Sequence, residues 1–422
     1  MIDASGLLVV PGGVDVHTHL EAPVGGTVSS DDFASGTKAA AFGGTTCVVD
    51  FATQSRGENL MTVLDSWRKK GEKSAVDYGL HMIVTDIDSG SLDALDELVR
   101  EGVTSFKLFM AYPGSLMIDD GTIFRIMRRA GKLGALVCVH AENGHVIEQL
   151  IRESLAAGET SPAFHARTRP AAAEGEATNR AIALASIAGV PVYIVHVTCR
   201  ESLAPLLRAR EQGQPVFGET CPQYLFLTAA DLERPCFEGA KYVLTPPLRE
   251  SADQEALWDA LAGGGLQVVS TDHCPFMFKG QKERGKEDFT KIPNGGPGIE
   301  HRMELLFHYG VNRERITAQQ WVDLCSTSPA KFFGLYPRKG EIAVGSDADI
   351  VLWDPEAPGV IRAAEHHMNV DYSMYEGFKL KGRAKTVIAG GDVVVESGRW
   401  VGGTHRGRYI RREPFGAAYQ KA

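Results

Sequence analysis

The chain lacks any apolar run near the roughly 18 residues that a membrane-spanning helix needs. Leu7-Leu8-Val9-Val10 is too short for a signal-peptide core, and no basic stretch precedes it. Cysteine is sparse. The seven are dispersed, odd in number and never spaced as CxxC. That argues against a disulfide framework and reads as a reduced, cytoplasmic compartment with mostly buried thiols. Positive charge is not in excess either. Lys and Arg number 44 against 53 Asp and Glu, for a net charge of −9. A nucleic-acid backbone is therefore not expected as the main partner. No G-x-G-x-x-G follows a strand, which weakens a dinucleotide-binding reading.

What the chain does have is length and a rhythm. Its 422 residues, 44% of them hydrophobic, suffice for a (β/α)₈ barrel of roughly 250–350 residues plus a smaller domain. Short apolar runs alternate with helical patterns through the first three quarters. The runs predict strands at Val14–His19, Thr45–Ala52, Tyr78–Asp86, Ser105–Ala111, Ala135–Glu142, Val192–Thr198, Pro215–Thr220 and Gln267–Asp272. Between them fall predicted helices over Leu92–Arg100, Ile123–Gly131, Val146–Ala156, Thr178–Ala188 and Leu203–Gln212. Gly71, Gly134, Gly189 and Gly213 stand where left-handed helix caps are expected. Eight strands is the closure number of a TIM-like barrel; an open doubly wound sheet is the alternative.

Residues 276–300 break the rhythm with a charged, glycine-bearing stretch from Lys279 to Asp288. It reads as a solvated surface insertion or as a lid after the last strand. From about Gly340 the pattern becomes antiparallel. Glu341–Trp353 and Lys385–Val395 alternate, with turns at Gly345-Ser346-Asp347 and Gly390-Gly391-Asp392. The expected division is a residual β-segment over 1–11, the barrel over 12–339, small β-sandwich strands over 340–400 and a tail over 401–422. Arg406, Arg408, Arg411 and Arg412 make the tail basic, either solvated or docked on a neighbouring subunit.

Polar residues gather at the strand ends. His17 and His19 lie two apart, so a strand projects both to one side, and two imidazoles there can share a metal. His140, His196 and Asp272 each end an apolar run. Leaving such a group buried and unpaired costs about 1–3 kcal/mol. For any one histidine, a hydrogen-bonded core residue explains this. Several strand ends doing it together point to a metal site on the barrel's C-terminal face. Imidazole plus carboxylate suits zinc, manganese, cobalt or iron, and zinc is the usual hydrolytic choice. Lys107 sits inside an otherwise apolar strand, where a lone ammonium is costly. It either pairs with a carboxylate or is neutral; a neutral amine in a dry pocket can add CO₂ to form a carbamate.

The order of motifs carries a resemblance. The chain holds His17-Thr18-His19, Phe106-Lys107-Leu108-Phe109-Met110-Ala111-Tyr112, Val139-His140-Ala141-Glu142-Asn143-Gly144 and Ile194-Val195-His196-Val197-Thr198. It continues with Thr245-Pro246-Pro247-Leu248-Arg249, Ser270-Thr271-Asp272-His273-Cys274-Pro275-Phe276 and Ile292-Pro293-Asn294-Gly295-Gly296. From about Ile2 to about Phe415 it resembles the dihydropyrimidinase/D-hydantoinase family of the amidohydrolase superfamily. The resemblance implies two divalent metal ions, most simply Zn²⁺. His17, His19 and Asp272 would bind one, His140 and His196 the other, and carboxylated Lys107 would bridge them. A hydroxide shared by the metals would be the nucleophile, and Asp272 would carry its proton to the leaving nitrogen. Tyr112 matches the phenol that stabilises the oxyanion. Thr245 and Asn294 match positions whose backbone groups fix the ring. The family also suggests a homotetramer. Its members usually carry roughly 40 residues ahead of the Ile2-Asp3-Ala4-Ser5-Gly6 segment, so the expectation is either a misassigned start or an incomplete β-sandwich with open strand edges.

The implied reaction is opening of 5,6-dihydropyrimidines or 5-substituted hydantoins to N-carbamoyl amino acids. Dihydroorotases usually place an arginine after the HxH; here Leu20-Glu21-Ala22 follows, which disfavours an anionic ring. An allantoinase-like activity remains an alternative. Val24, Phe109 and Leu116 map to the family's stereochemistry loops and are expected contacts for the ring substituent, with plain core the other explanation. A second class is a non-catalytic scaffold related to dihydropyrimidinases. Retention of all six ligand positions and Tyr112 argues against it.

Overall fold

The computed structural model describes residues 2–87 and 92–416. Its main sheet has eight parallel strands, in order Val268–Val269, Val216–Thr220, Val192–Ile194, Leu136–His140, Ser105–Phe109, Asp77–Ile83, Thr45–Thr53 and Gly13–Thr18. The strands are buried almost throughout, as expected when helices cover the outside of a parallel sheet. The eight predicted strands are these eight, with ends shifted by a few residues. The last keeps only two residues of its ladder, because its C-terminal half leaves it and closes the barrel through a backbone bridge and side chains. Thr18 bridges His273, and the His19 N–H donates to the His273 carbonyl at 2.9 Å. The Thr271 hydroxyl donates to Asp15 at 2.6 Å. Arg302, fully buried, donates to the carbonyls of Val14 (3.0 Å) and Val269 (2.9 Å) and to the Thr45 hydroxyl (3.1 Å). One guanidinium thus stitches the first, second and eighth strands.

The helices start and stop where local chemistry dictates. Asp119 caps Asp120–Leu133 by accepting from the Thr122 N–H, and Gly134 ends it in the left-handed region at φ 67°. Gly189 does the same at φ 69° for Ala171–Ala188, a helix that begins seven residues before the predicted Thr178. Its alanine- and glycine-rich first turns carry no apolar stripe, yet they pack closely: a Cβ on Gly175 would lie 2.6 Å from the Glu201 carbonyl oxygen. Gly71 is not a left-handed cap. It is the last residue of Leu60–Gly71, and glycine is required there because a Cβ would meet the Tyr78 ring at 2.2 Å.

The β-rich part is one five-stranded antiparallel sheet, in order Leu8–Pro11, Ile350–Val360, Lys379–Ala389, Asp392–Glu396 and Arg399–Trp400. The opening segment pairs with the distant C-terminal part, Leu8 opposite Trp353 and Pro11 opposite Ile350. The Lys385–Val395 stretch is a hairpin that turns at Gly390-Gly391, as its sequence predicts. The predicted strand from Glu341 starts only at Ile350, since the stretch before it is turns.

Two further expectations change. The tail is docked on its own chain. Arg412 is buried and donates to the carbonyl of Leu80 and, at 2.8 Å, to the Ser105 hydroxyl beneath the barrel strands. Arg408 pairs with Asp77 at 3.2 Å. The last six residues, 417–422, lie outside the described residues. The charged stretch at 279–288 is not wholly solvated: Lys282 has no exposed surface, and Phe289 and Ile292 are buried beside it.

Candidate active site

The C-terminal ends of the barrel strands place the predicted site residues together. His17 is the next-to-last residue of the first strand and His19 follows that strand; Lys107 is inside the fourth strand and His140 ends the fifth. His196 and Asp272 lie just beyond the sixth and eighth. Lys107 Nζ stands 2.8 Å from His17 Nε2. Asp272 Oδ1 lies 3.1 Å from His17 Nε2 and 3.2 Å from His19 Nε2. His140 Nδ1 lies 2.9 Å from His196 Nε2. Three of the residues that face this space, Tyr112, His196 and Asp272, hold positive φ angles of 65°, 39° and 51°. Such angles are uncommon outside glycine and cluster at functional sites. The turn out of the strand is what aims each side chain inward.

Burial sets the protonation states. It pulls His19 down to about 4 and holds His140 and His196 below the ordinary histidine range, which favours neutral imidazoles with free lone pairs. It also lowers Lys107. Burial would raise Asp272, but the charge of His17 and hydrogen bonds from His17 and His19 outweigh it and hold the carboxyl well below its usual range. Burial raises Tyr112, so its hydroxyl stays a donor.

Behind the inward-facing atoms stands a ring of partners. Glu219 hydrogen-bonds His17 Nδ1, and the Tyr193 hydroxyl donates to the other Glu219 oxygen at 3.0 Å. Glu142 lies 2.8 Å from His140 Nε2 and accepts from Arg169 at 3.0 Å. The Arg169 guanidinium sits 5.4 Å from the centre of the Tyr112 ring.

The cluster forms one wall of a cavity of about 520 Å³, to which His19, Lys107, His140, His196 and Asp272 all contribute. Tyr112, Thr245 and Asn294 line another side, and Val24, Phe109 and Leu116 give an apolar wall. Of the predicted site residues only His17 does not reach the cavity surface, lying behind Lys107. The Asn294 side-chain amide donates to the Tyr112 hydroxyl at 3.3 Å.

Residues 8–394 match the family model described as the amidohydrolase family. The chain belongs to that family. This amidohydrolase is 55% identical over 413 residues to the D-hydantoinase of Streptomyces coelicolor, covering 98% of this chain and 88% of that one. It is 51% identical to the D-hydantoinase of Geobacillus stearothermophilus, covering 99% and 89%. Among solved structures it matches the dihydropyrimidinase of Brevibacillus agri with a TM-score of 0.97 and 53% identity, over 98% of this chain and 90% of that one. It also matches the L-hydantoinase of Arthrobacter aurescens with a TM-score of 0.85 and 30% identity, over 95% and 88%.

The amidohydrolase family is metal-dependent, and the donor set here fits a cation. His17, His196 and Asp272 each offer one ligand atom, and these atoms lie within 4.8 Å of one another. Nitrogen and carboxylate donors of this kind suit first-row divalent ions. Sequence reasoning gave no role to Glu219, Glu142 or Arg169. Glu219 nevertheless carries the signal used for the others, a polar residue near the end of an apolar strand.

Proposed function

We propose that this amidohydrolase opens the ring of 5-substituted hydantoins, with a preference for the D configuration, and of 5,6-dihydropyrimidines, releasing N-carbamoyl amino acids. Carrying this reading is the convergence of five ligand-type side chains on one cavity with an apolar wall, with His17 directly behind Lys107, in a chain 51–55% identical to proteins named D-hydantoinase. His17, His19 and Asp272 would hold one zinc ion, His140 and His196 the other. Lys107, carboxylated on Nζ by CO₂, would bridge them; burial favours the neutral amine that this addition needs. Bound there, the two cations supply Lewis acidity toward the ring carbonyl and lower the pKa of water towards neutrality.

The chain's own groups divide the remaining work. Asp272 takes the proton from the attacking water and returns it to the ring nitrogen as the C–N bond breaks. The water oxygen ends in the new carboxylate. Tyr112 donates to the carbonyl oxygen as negative charge builds there. The backbones of Thr245 and Asn294 hold the ring amides, and Val24, Phe109 and Leu116 contact the substituent. The barrel at 12–339 carries this site, with the strands at 1–11 and 340–400 as a separate support and 401–422 as the tail. Seven cysteines without a disulfide support a cytoplasmic location. The assembly we propose is a homotetramer.

The deciding experiment compares dihydrouracil, D- and L-5-substituted hydantoins and allantoin on protein whose metal content is measured. The expected result is turnover of D-hydantoins and dihydrouracil well above allantoin, with two metals per chain. Metal-replete protein that leaves all these rings closed would overturn the reading.

A further inference from the structure

Lys282 lies in a stretch that reads as solvated, yet its side chain is fully buried. Among the described residues its partners are carbonyls rather than carboxylates. Its Nζ donates to the backbone oxygens of Val243 at 2.8 Å, Pro293 at 3.2 Å and Gly295 at 2.7 Å; burial pulls the amine down to about 7, and three converging carbonyl acceptors favour its ammonium form. These oxygens belong to the two segments that border the ring end of the cavity. Val243 stands two residues before Thr245, and Pro293 and Gly295 flank Asn294. The Gly295 N–H also donates to the Val243 carbonyl at 3.1 Å, so one buried point laces both segments together.

We propose that Lys282 is a positioning residue for the cyclic substrate: its cation gathers three carbonyl oxygens and thereby fixes the spacing between the Thr245 and Asn294 backbones that hold the ring. The inference rests on the proposed ring-binding role of those two residues. Three carbonyl dipoles converging in a dry space repel one another, and an ammonium, with three donors and no acceptor, satisfies all of them at once. Removing it leaves buried acceptors unpaired. The loop cannot relax inward to compensate. Gly295 holds φ 144°, and even a Cβ there would lie 2.3 Å from the Cys274 carbonyl oxygen. The segments would instead move apart, and a displacement near 1 Å in a substrate-holding group is enough to cost a large factor in binding or rate. Among the described residues Lys282 donates to backbone carbonyls and to no metal-ligand side chain; Asp272 stands two residues before Cys274, whose N–H donates to the Gly296 carbonyl at 3.2 Å.

The test uses the intact, metal-quantified protein with dihydrouracil and a D-5-substituted hydantoin. Lys282→Met keeps the aliphatic stem and removes the donors. It is expected to raise KM about tenfold or more while kcat stays within about threefold and metal content matches the wild type. Lys282→Gln, which keeps an amide donor, is expected to fall between the two, and is read by the same criterion if the Met variant does not fold. Unchanged KM in a folded, metal-replete variant overturns the proposal. So does a loss of kcat and metal at constant KM, the mark of a purely structural lysine, and so does failure of both variants to fold. A wild-type protein inert on both rings overturns the proposed function and this inference with it; an active wild type with unaltered variants overturns this inference alone.

Discussion

Lys107 Nζ lies 2.8 Å from His17 Nε2, with both side chains cut off from solvent. Two basic groups at hydrogen-bond distance cannot both be charged at low cost, and burial disfavours the lysine cation. The carbamate proposed for Lys107 would resolve the conflict, because an anion beside His17 would attract the metal that two cations repel. Lys107→Ala is therefore expected to lose metal and most ring-opening activity, and millimolar short carboxylic acids are expected to restore part of it. The readings are kcat/KM and metal per chain, with and without added acid. Full activity in the unsupplemented variant would rule out the carbamate.

Tyr112 reaches the cavity from a left-handed turn five residues after Lys107, and its hydroxyl already accepts from Asn294 at 3.3 Å. That bond leaves the phenol proton free to point at the substrate. Tyr112→Phe removes the donor and keeps the ring, and is expected to lower kcat about 10²-fold or more with a small change in KM, the scale of losing one oxyanion donor. Steady-state kinetics on a D-hydantoin decide it; an unchanged kcat takes Tyr112 out of the role.

Much of this site is legible in the sequence because the barrel simplifies the problem. A polar residue at the C-terminal end of an apolar strand has one place to go, and His17, His140, His196 and Asp272 all follow that rule. What is not legible depends on distant partners. Nothing local marks Lys282 as buried, because its three acceptors are backbone carbonyls up to 39 residues away. Arg302 reads as one more surface arginine until the seam between Val14 and Val269 is seen. Arg412 likewise looks like part of a basic tail, and only the fold shows it plugged beneath the strands against Leu80 and Ser105. Gly71 shows the same limit: its position suggests a cap, and its reason is the Tyr78 ring.

Glu219 holds His17 by its Nδ1 and is itself held by Tyr193. A carboxylate behind a ligand histidine fixes the ring's tautomer and orientation, and removing it commonly weakens metal binding about 10–100-fold. Glu219→Gln keeps the shape and drops the charge. Its expected effect is a loss of metal affinity on that scale, read by competition with a chromophoric chelator. Equal affinity in variant and wild type would leave Glu219 as a packing group only.

The junction between barrel and sheet rests on another buried lysine. Lys339 Nζ lies 2.7 Å from Asp77 at the start of the third barrel strand, 2.9 Å from Asp347 and 2.6 Å from Asp349 ahead of the sheet. Burial would raise the Asp77 and Asp347 carboxyls, but the charge of Lys339 and its hydrogen bonds outweigh this, so both are lowered. A carboxyl lowered in the folded state adds stability that is present above its unfolded value, near 3.8, and is lost as pH falls through the folded value. Lys339→Met leaves Asp349 without its cation, and Asp77 and Asp347 with only Arg408 and Arg338, and is expected to cost about 3 kcal/mol at neutral pH, the low end of the scale for breaking a buried ion pair. Lowering the pH protonates Asp77 and Asp347, which relieves their repulsion in the variant and removes their ion-pair gain from the wild type. The gap in urea midpoint between the two proteins should therefore be wide at pH 7 and narrow steadily as the pH is taken below about 4. A gap that stays constant across that range would mean the lysine acts through packing of its stem rather than through its charge.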